Sequence, residues 1–179
     1  SVSMASPAVV RRCHNRARVD VIGYQENFTY YAGGVVAAVE LVESNAKFAD
    51  IVECTNNGNV SVALSQGSSA ASAAGIAATM NACVTVSSCE NTGGVSSSKG
   101  AFGIVSEAIS VCNSVNHGAV SGNTTSRGIA LTIRESAVAV VSTACLAGTE
   151  PPFVMPHPSC VKEAVFFCAN TSSTGVSFA

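Results

Sequence analysis

Eight cysteines, at positions 13, 54, 83, 89, 112, 145, 160 and 168, are the residues of this chain best suited to covalent chemistry. No two have C-x-x-C spacing, and His14, His117 and His157 lie far apart, so neither a zinc ribbon nor a thioredoxin-like site is written here. An even cysteine count without a cytosolic motif points to disulfides, although eight cysteines allow on the order of 100 pairings. Cys13, Cys54, Cys83, Cys89, Cys112, Cys145, Cys160 and Cys168 are therefore all disulfide candidates. Four N-x-S/T sequons, at Asn27, Asn59, Asn123 and Asn170, add N-linked glycosylation. Together they place the protein outside the cell or on its surface.

Acid–base chemistry has little material. Charged residues are only 11 % of the chain, against roughly 25 % in an ordinary globular protein. Those in the repeat region, from Glu40 to Glu135, never recur at one repeat position. No nucleophile elbow and no phosphate-cradling glycine loop is present. The expectation is a protein that is not an enzyme and that takes no cofactor and no metal. A net charge of −2 and one short basic stretch, Arg11 to Arg18, give no footprint for nucleic acid. A sugar-binding face would want exposed aromatics, yet Trp is absent and Tyr24, Tyr30 and Tyr31 all fall near the start.

The elements that would position these residues are legible from repetition. Cys54-Thr-Asn56-Asn-Gly58-Asn-Val60-Ser61 returns as Cys89-Glu-Asn91-Thr-Gly93-Gly-Val95-Ser96 and, weakened, as Ser114-Val-Asn116-His-Gly118-Ala-Val120-Ser121. A second phrase alternates with it: Ala32-Gly33-Gly34-Val35, Ala73-Ala74-Gly75-Ile76, Ala101-Phe102-Gly103-Ile104 and Ser126-Arg127-Gly128-Ile129. Spacings of 25 to 41 residues indicate a solenoid whose coils bury their apolar faces against one another. Alternation of apolar and hydroxyl residues in 82–89 and β-branched runs in 132–141 favour strands. The fold class expected is all-β, a short parallel β-solenoid (β-helix) of about four coils with non-repeating terminal segments; the alternative is a β-sandwich.

Strand periodicity puts Cys54, Asn56, Gly58 and Val60 on the inner side and Asn59 outside. An inward Asn is tolerable if its amide bonds a backbone group at a turn or the equivalent Asn of the next coil. The glycine would permit a positive φ at a corner. Cys54 and Cys89 would stack ~4.8 Å apart, within reach of a disulfide, with Cys112 displaced onto the same face.

Residues 1–31 read as an N-terminal cap or edge segment, 32–148 as the repeat domain, 149–160 as a Pro-rich linker and 161–179 as a C-terminal strand segment. Within 34–44 a helical turn competes with strand. No stretch is long and apolar enough for a membrane span, because Arg134 and Glu135 interrupt the best candidate. The absence of an initiating Met suggests a segment of a precursor.

The alternation of these two phrases resembles the degenerate GLUG-type repeats of bacterial and protist cell-surface proteins over roughly residues 32–148. The resemblance implies an extracellular β-solenoid used in adhesion or surface structure, without shared catalytic residues. The function expected is a secreted, glycosylated structural protein that assembles head to tail with copies of itself into a fibre or surface coat. In that reading the terminal strand is lent to the next subunit. The alternative is an adhesive or carbohydrate-binding ectodomain of a longer cell-surface protein.

Overall fold

The computed structural model describes residues 8–25, 27–38, 49–65, 70–78 and 84–142, together with the strands Val154–Met155, Val161–Phe166 and Ser177–Phe178. The structure is all-β, with no helix among the described residues, and every strand pair is parallel, which is the arrangement of a β-solenoid and not of a sandwich. Coil 1 contains β1 (Ala8–Arg11), β2 (His14–Asn15), β3 (Val19–Gly23) and β4 (Thr29–Gly33). Coil 2 repeats the plan in β5 (Ala49–Val52), β6 (Thr55–Asn56), β7 (Val60–Leu64) and β8 (Ala70–Ala74). Coil 3 does so in β9 (Val84–Ser87), β10 (Glu90–Asn91), β11 (Val95–Ser97) and β12 (Gly100–Phe102). Coil 4 consists of β13 (Glu107–Cys112), β14 (Val115–Asn116), β15 (Val120–Gly122) and β16 (Thr125–Arg127).

Equivalent strands form the stacks β1-β5-β9-β13, β2-β6-β10-β14, β3-β7-β11-β15 and β4-β8-β12-β16. The offset between paired residues shrinks from 41 to 35 to 25 along the chain while the register of the phrases is kept. The extra residues of the earlier coils lie between β3 and β4, β4 and β5, β7 and β8, and β8 and β9. Insertions in loops leave stacking intact because only the strands carry the ladder. The helical turn considered for 34–44 is absent from residues 34–38, where Val36 instead bridges to Ala77; residues 39–48 lie outside the described ones.

One expectation about glycine is corrected. None of Gly58, Gly93 or Gly118 has a left-handed φ. The left-handed corner stands just ahead of the Cys phrase, at Arg12 (φ 54°), Glu53 (54°), Ser88 (53°) and Asn113 (48°), one per coil. These residues turn the chain from the first stack into the second, and the turn is built from non-glycine residues that carry its steric cost.

The core fills the inside of the stack in rows. Ile51, Val86 and Val111 share one register row, Val60, Val95 and Val120 another, and Ile76, Ile104 and Ile129 are joined by backbone hydrogen bonds. All nine are buried, at about 1.5–3 kcal/mol of transfer free energy per large side chain. Each row places like on like, so that shape complementarity is inherited from coil to coil.

The ends carry the remaining strands. The segment expected as a cap or edge, residues 1–31, contributes from Ala8 onward and, with Ala32 and Gly33, supplies the edge strand of every stack as one coil, β1 to β4. β17 (Thr132–Ser142) runs over both β13 and β14 and so merges the first two stacks into one twelve-stranded sheet. β18 (Val154–Met155) and β19 (Val161–Phe166) pair with β17, and β20 (Ser177–Phe178) pairs with β18. The strand expected to be lent to another subunit is thus held in its own sheet.

Candidate functional site

The inner corner between the second and third stacks is where the two sequence phrases meet. Asn15, Asn56, Asn91 and Asn116 stand in one register row. Nδ2 of Asn15 donates to Oδ1 of Asn56 at 2.8 Å, Asn56 to Asn91 at 2.7 Å, and Asn91 to Asn116 at 2.7 Å. The other hydrogen of each amide goes to the carbonyl two residues on, at Ala17, Gly58 and Gly93, 2.8–2.9 Å away, and Asn116 likewise donates to Gly118. Both bonds envisaged for an inward Asn are therefore made at once. Asn56, Asn91 and Asn116 are fully buried. With both amide hydrogens of Asn15, Asn56 and Asn91 committed inside the stack, these side chains have no donor left for a sugar.

The glycine of the second phrase makes room for this row. A Cβ at Gly34 would stand 2.5 Å from Cγ of Asn56, at Gly75 2.4 Å from Cγ of Asn91, and at Gly103 2.5 Å from Cγ of Asn116. Each would also collide with the carbonyl of the next glycine in the series, Gly75, Gly103 and Gly128, at 1.9–2.2 Å. One phrase recurs because the other does: a buried amide in coil n+1 requires the missing side chain in coil n.

The sequence reading missed the first copy of the Asn phrase. Cys13-His14-Asn15-Arg16-Ala17-Arg18-Val19 occupies coil 1 in register with Cys54 to Val60. The signal was Cys-x-Asn spaced from Val as in the other copies, hidden by the four arginines of 11–18 that made the segment look like a basic patch.

Cys13, Cys54 and Cys89, followed by Ser114, also hold one position in successive coils, since the amides of Thr55, Glu90 and Val115 donate to the carbonyls of Cys13, Cys54 and Cys89. All of Cys13, Cys54, Cys89 and Cys112 are free thiols. Sγ of Cys54 and of Cys89 each point to the carbonyl two residues earlier, at 3.3 Å, and Ser114 Oγ makes the same bond at 3.0 Å. Burial pushes the Cys89 thiol up to about 12 and raises that of Cys54 as well. Cys112 lies outside this row, opposite Ser87. Cys83, Cys145, Cys160 and Cys168 lie outside the described residues, as does the sequon at Asn170.

Asn27, Asn59 and Asn123 are exposed. Asn59 sits on the outer face as expected, and its Oδ1 accepts from the Gly94 amide at 2.9 Å, so the side chain is held with Nδ2 as its substitutable atom. Asn27 is a left-handed turn residue at φ 64°.

Charged groups pair on the outside. Glu53 accepts from Arg11 at 3.0 Å and Arg12 at 2.6 Å, and these two bonds hold its carboxyl down at about 2. Ser61 and Arg18 likewise lower Asp20. His14 contacts Thr55, while His117 lies by Glu90 at the other end of that stack. Among the described residues no three His, Cys, Asp or Glu side chains converge on a metal position, and no helix is long and apolar enough to cross a membrane.

Concave surfaces among the described residues lie on the third and fourth stacks. A groove of about 260 Å³ on the fourth stack is lined by Tyr31, Ser72, Lys99, Phe102, Glu107 and Leu131. A second concave face on the third stack runs across Ser61, Ser96 and Ser121. No protein-family model, no curated protein and no solved structure matches this chain.

Proposed function

We propose that the protein is a secreted, glycosylated structural element that joins copies of itself end to end in an extracellular fibre or coat, without catalysis. The observation that carries this reading is the coil 1 end. There β1, β2, β3 and β4 are all edge strands, and all four exposed large hydrophobic residues of the described chain, Val9, Ile22, Tyr24 and Phe28, lie in this coil. An edge with unpaired backbone groups and apolar side chains is a template for another chain. The low charge, the three exposed sequons and the resemblance to GLUG-type surface repeats support the same setting. Electron microscopy and sedimentation of the glycosylated protein over a range of concentrations test it. Regular polymers are the expected result, and dispersed single particles at every concentration would refute it.

The second reading is an adhesive or carbohydrate-binding ectodomain. It draws on the groove of the fourth stack, where Tyr31 offers a ring and Ser72 Oγ is a buried hydroxyl without a partner. Chemical-shift changes at Tyr31 and Ser72 on titration with neutral monosaccharides would favour it.

A further inference from the structure

Gly58, Gly93 and Gly118 let each coil lie on the one before it. A Cβ at Gly58 would stand 1.9 Å from the carbonyl oxygen of Ala17, at Gly93 2.0 Å from that of Gly58, and at Gly118 1.9 Å from that of Gly93. In each case the obstacle is the equivalent residue of the preceding coil. Coil 1 has Ala17 at this position, so a Cβ stands where the carbonyl of an added in-register coil would have to come. No shift of a flexible side chain relieves such a clash, because both atoms belong to backbone or are bonded to it.

The rest of the coil 1 edge is not closed in this way. In β3 the Val19 amide donates to Asn59 and the Gly23 carbonyl accepts from Ser65, both toward coil 2. Alternation in a parallel ladder then directs the amides of Asp20 and Ile22 to the open end. Ile22 is 55 % exposed, and Tyr24 (71 %) and Phe28 (57 %) flank it in the connection to β4. In β2 the carbonyls of Cys13 and Asn15 accept from Thr55 and Asn57, which directs the amides of His14 and Arg16 to the same open end, beside Ala17.

We infer that Ala17 bars a second copy of this chain from continuing coil 1 in register, and that copies meet along the β3–β4 edge beside Ile22, Tyr24 and Phe28. This rests on the self-association proposed above, and it specifies which backbone groups of coil 1 take part. Joined in this way, copies share a strand edge but not the buried Asn row.

Residue-resolved amide exchange on the full chain, at dispersing and at associating concentrations, tests the inference. Association is expected to slow exchange at Asp20 and Ile22 at least tenfold and to leave His14 and Arg16 unchanged. Ile22→Asp, an exposed substitution, should shift association to at least tenfold higher concentration. Ala17→Gly should extend protection to His14 and Arg16. Polymers whose His14 and Arg16 amides are protected in the unaltered protein would overturn the inference while leaving self-association standing, as would an Ala17→Gly protein in which those amides stay unprotected. Particles that remain dispersed at every concentration would overturn the self-association reading and the β3–β4 contact with it.

Discussion

Asn91 shows how much one side chain can carry in a stacked fold. It accepts from Asn56, donates to Asn116 and closes its own turn on Gly93 while fully buried. Asn91→Ala would leave one amide hydrogen of Asn56 and the carbonyl of Gly93 buried and unpaired, at about 1–3 kcal/mol each, and would leave Asn116 Oδ1 with only the Gly118 amide. The urea midpoint should fall by an amount equivalent to roughly 3 kcal/mol or more, whereas Asn57→Ala, one residue past Asn56 on the exposed face, should change stability by less than about 0.5 kcal/mol. Glu53 gives a residue-scale pH dependence. Its carboxyl is held at about 2 when folded, against 4.5 ordinarily, so its contribution is complete above the ordinary value. That contribution is lost as pH falls through the lower one. Denaturation of Glu53→Gln should lose this component of the acid sensitivity, and the difference from the unaltered protein should shrink with added salt, because the pair is exposed.

At the scale of the element, the left-handed corner ahead of each Cys phrase is where the coil is strained. Glu53, Ser88 and Arg12 are side-chain-bearing residues in a conformation that glycine adopts without cost. Ser88→Gly should therefore stabilise the protein by roughly 1 kcal/mol, read as a higher thermal midpoint. The same element explains what was and was not legible in advance. The inward Cys, Asn, Gly and Val of β6 and its neighbours followed from period-2 alternation and are buried as expected. The reason for the glycine did not follow, because a clash with the preceding coil exists only once that coil is in place. Nor did the pairing of the two phrases, since Gly34 meets Asn56, Gly75 meets Asn91 and Gly103 meets Asn116 across connections of unequal length.

Across the whole molecule, coils touch mainly their neighbours, so stability is passed along one dimension and the end coil opens before the middle. The row Cys13, Cys54, Cys89 reports on this directly, with Cys13 exposed and the other two buried. A neutral-pH thiol alkylation series in rising urea, read by mass spectrometry, should label Cys13 in the native protein, Cys54 next and Cys89 last. Simultaneous labelling of all three would mean that the stack opens as one unit.

The sequence by itself determined the all-β solenoid, the inward Asn row and the outward Asn59, because phrases repeated at strand periodicity can bury their apolar side only by stacking. Only the tertiary structure decided that the segment from β1 to β4 makes a full coil, that the left-handed corners fall on Arg12, Glu53, Ser88 and Asn113, and that Gly58 lies against the Ala17 carbonyl. These depend on how one coil lies on the next, a relation that no single stretch of chain contains.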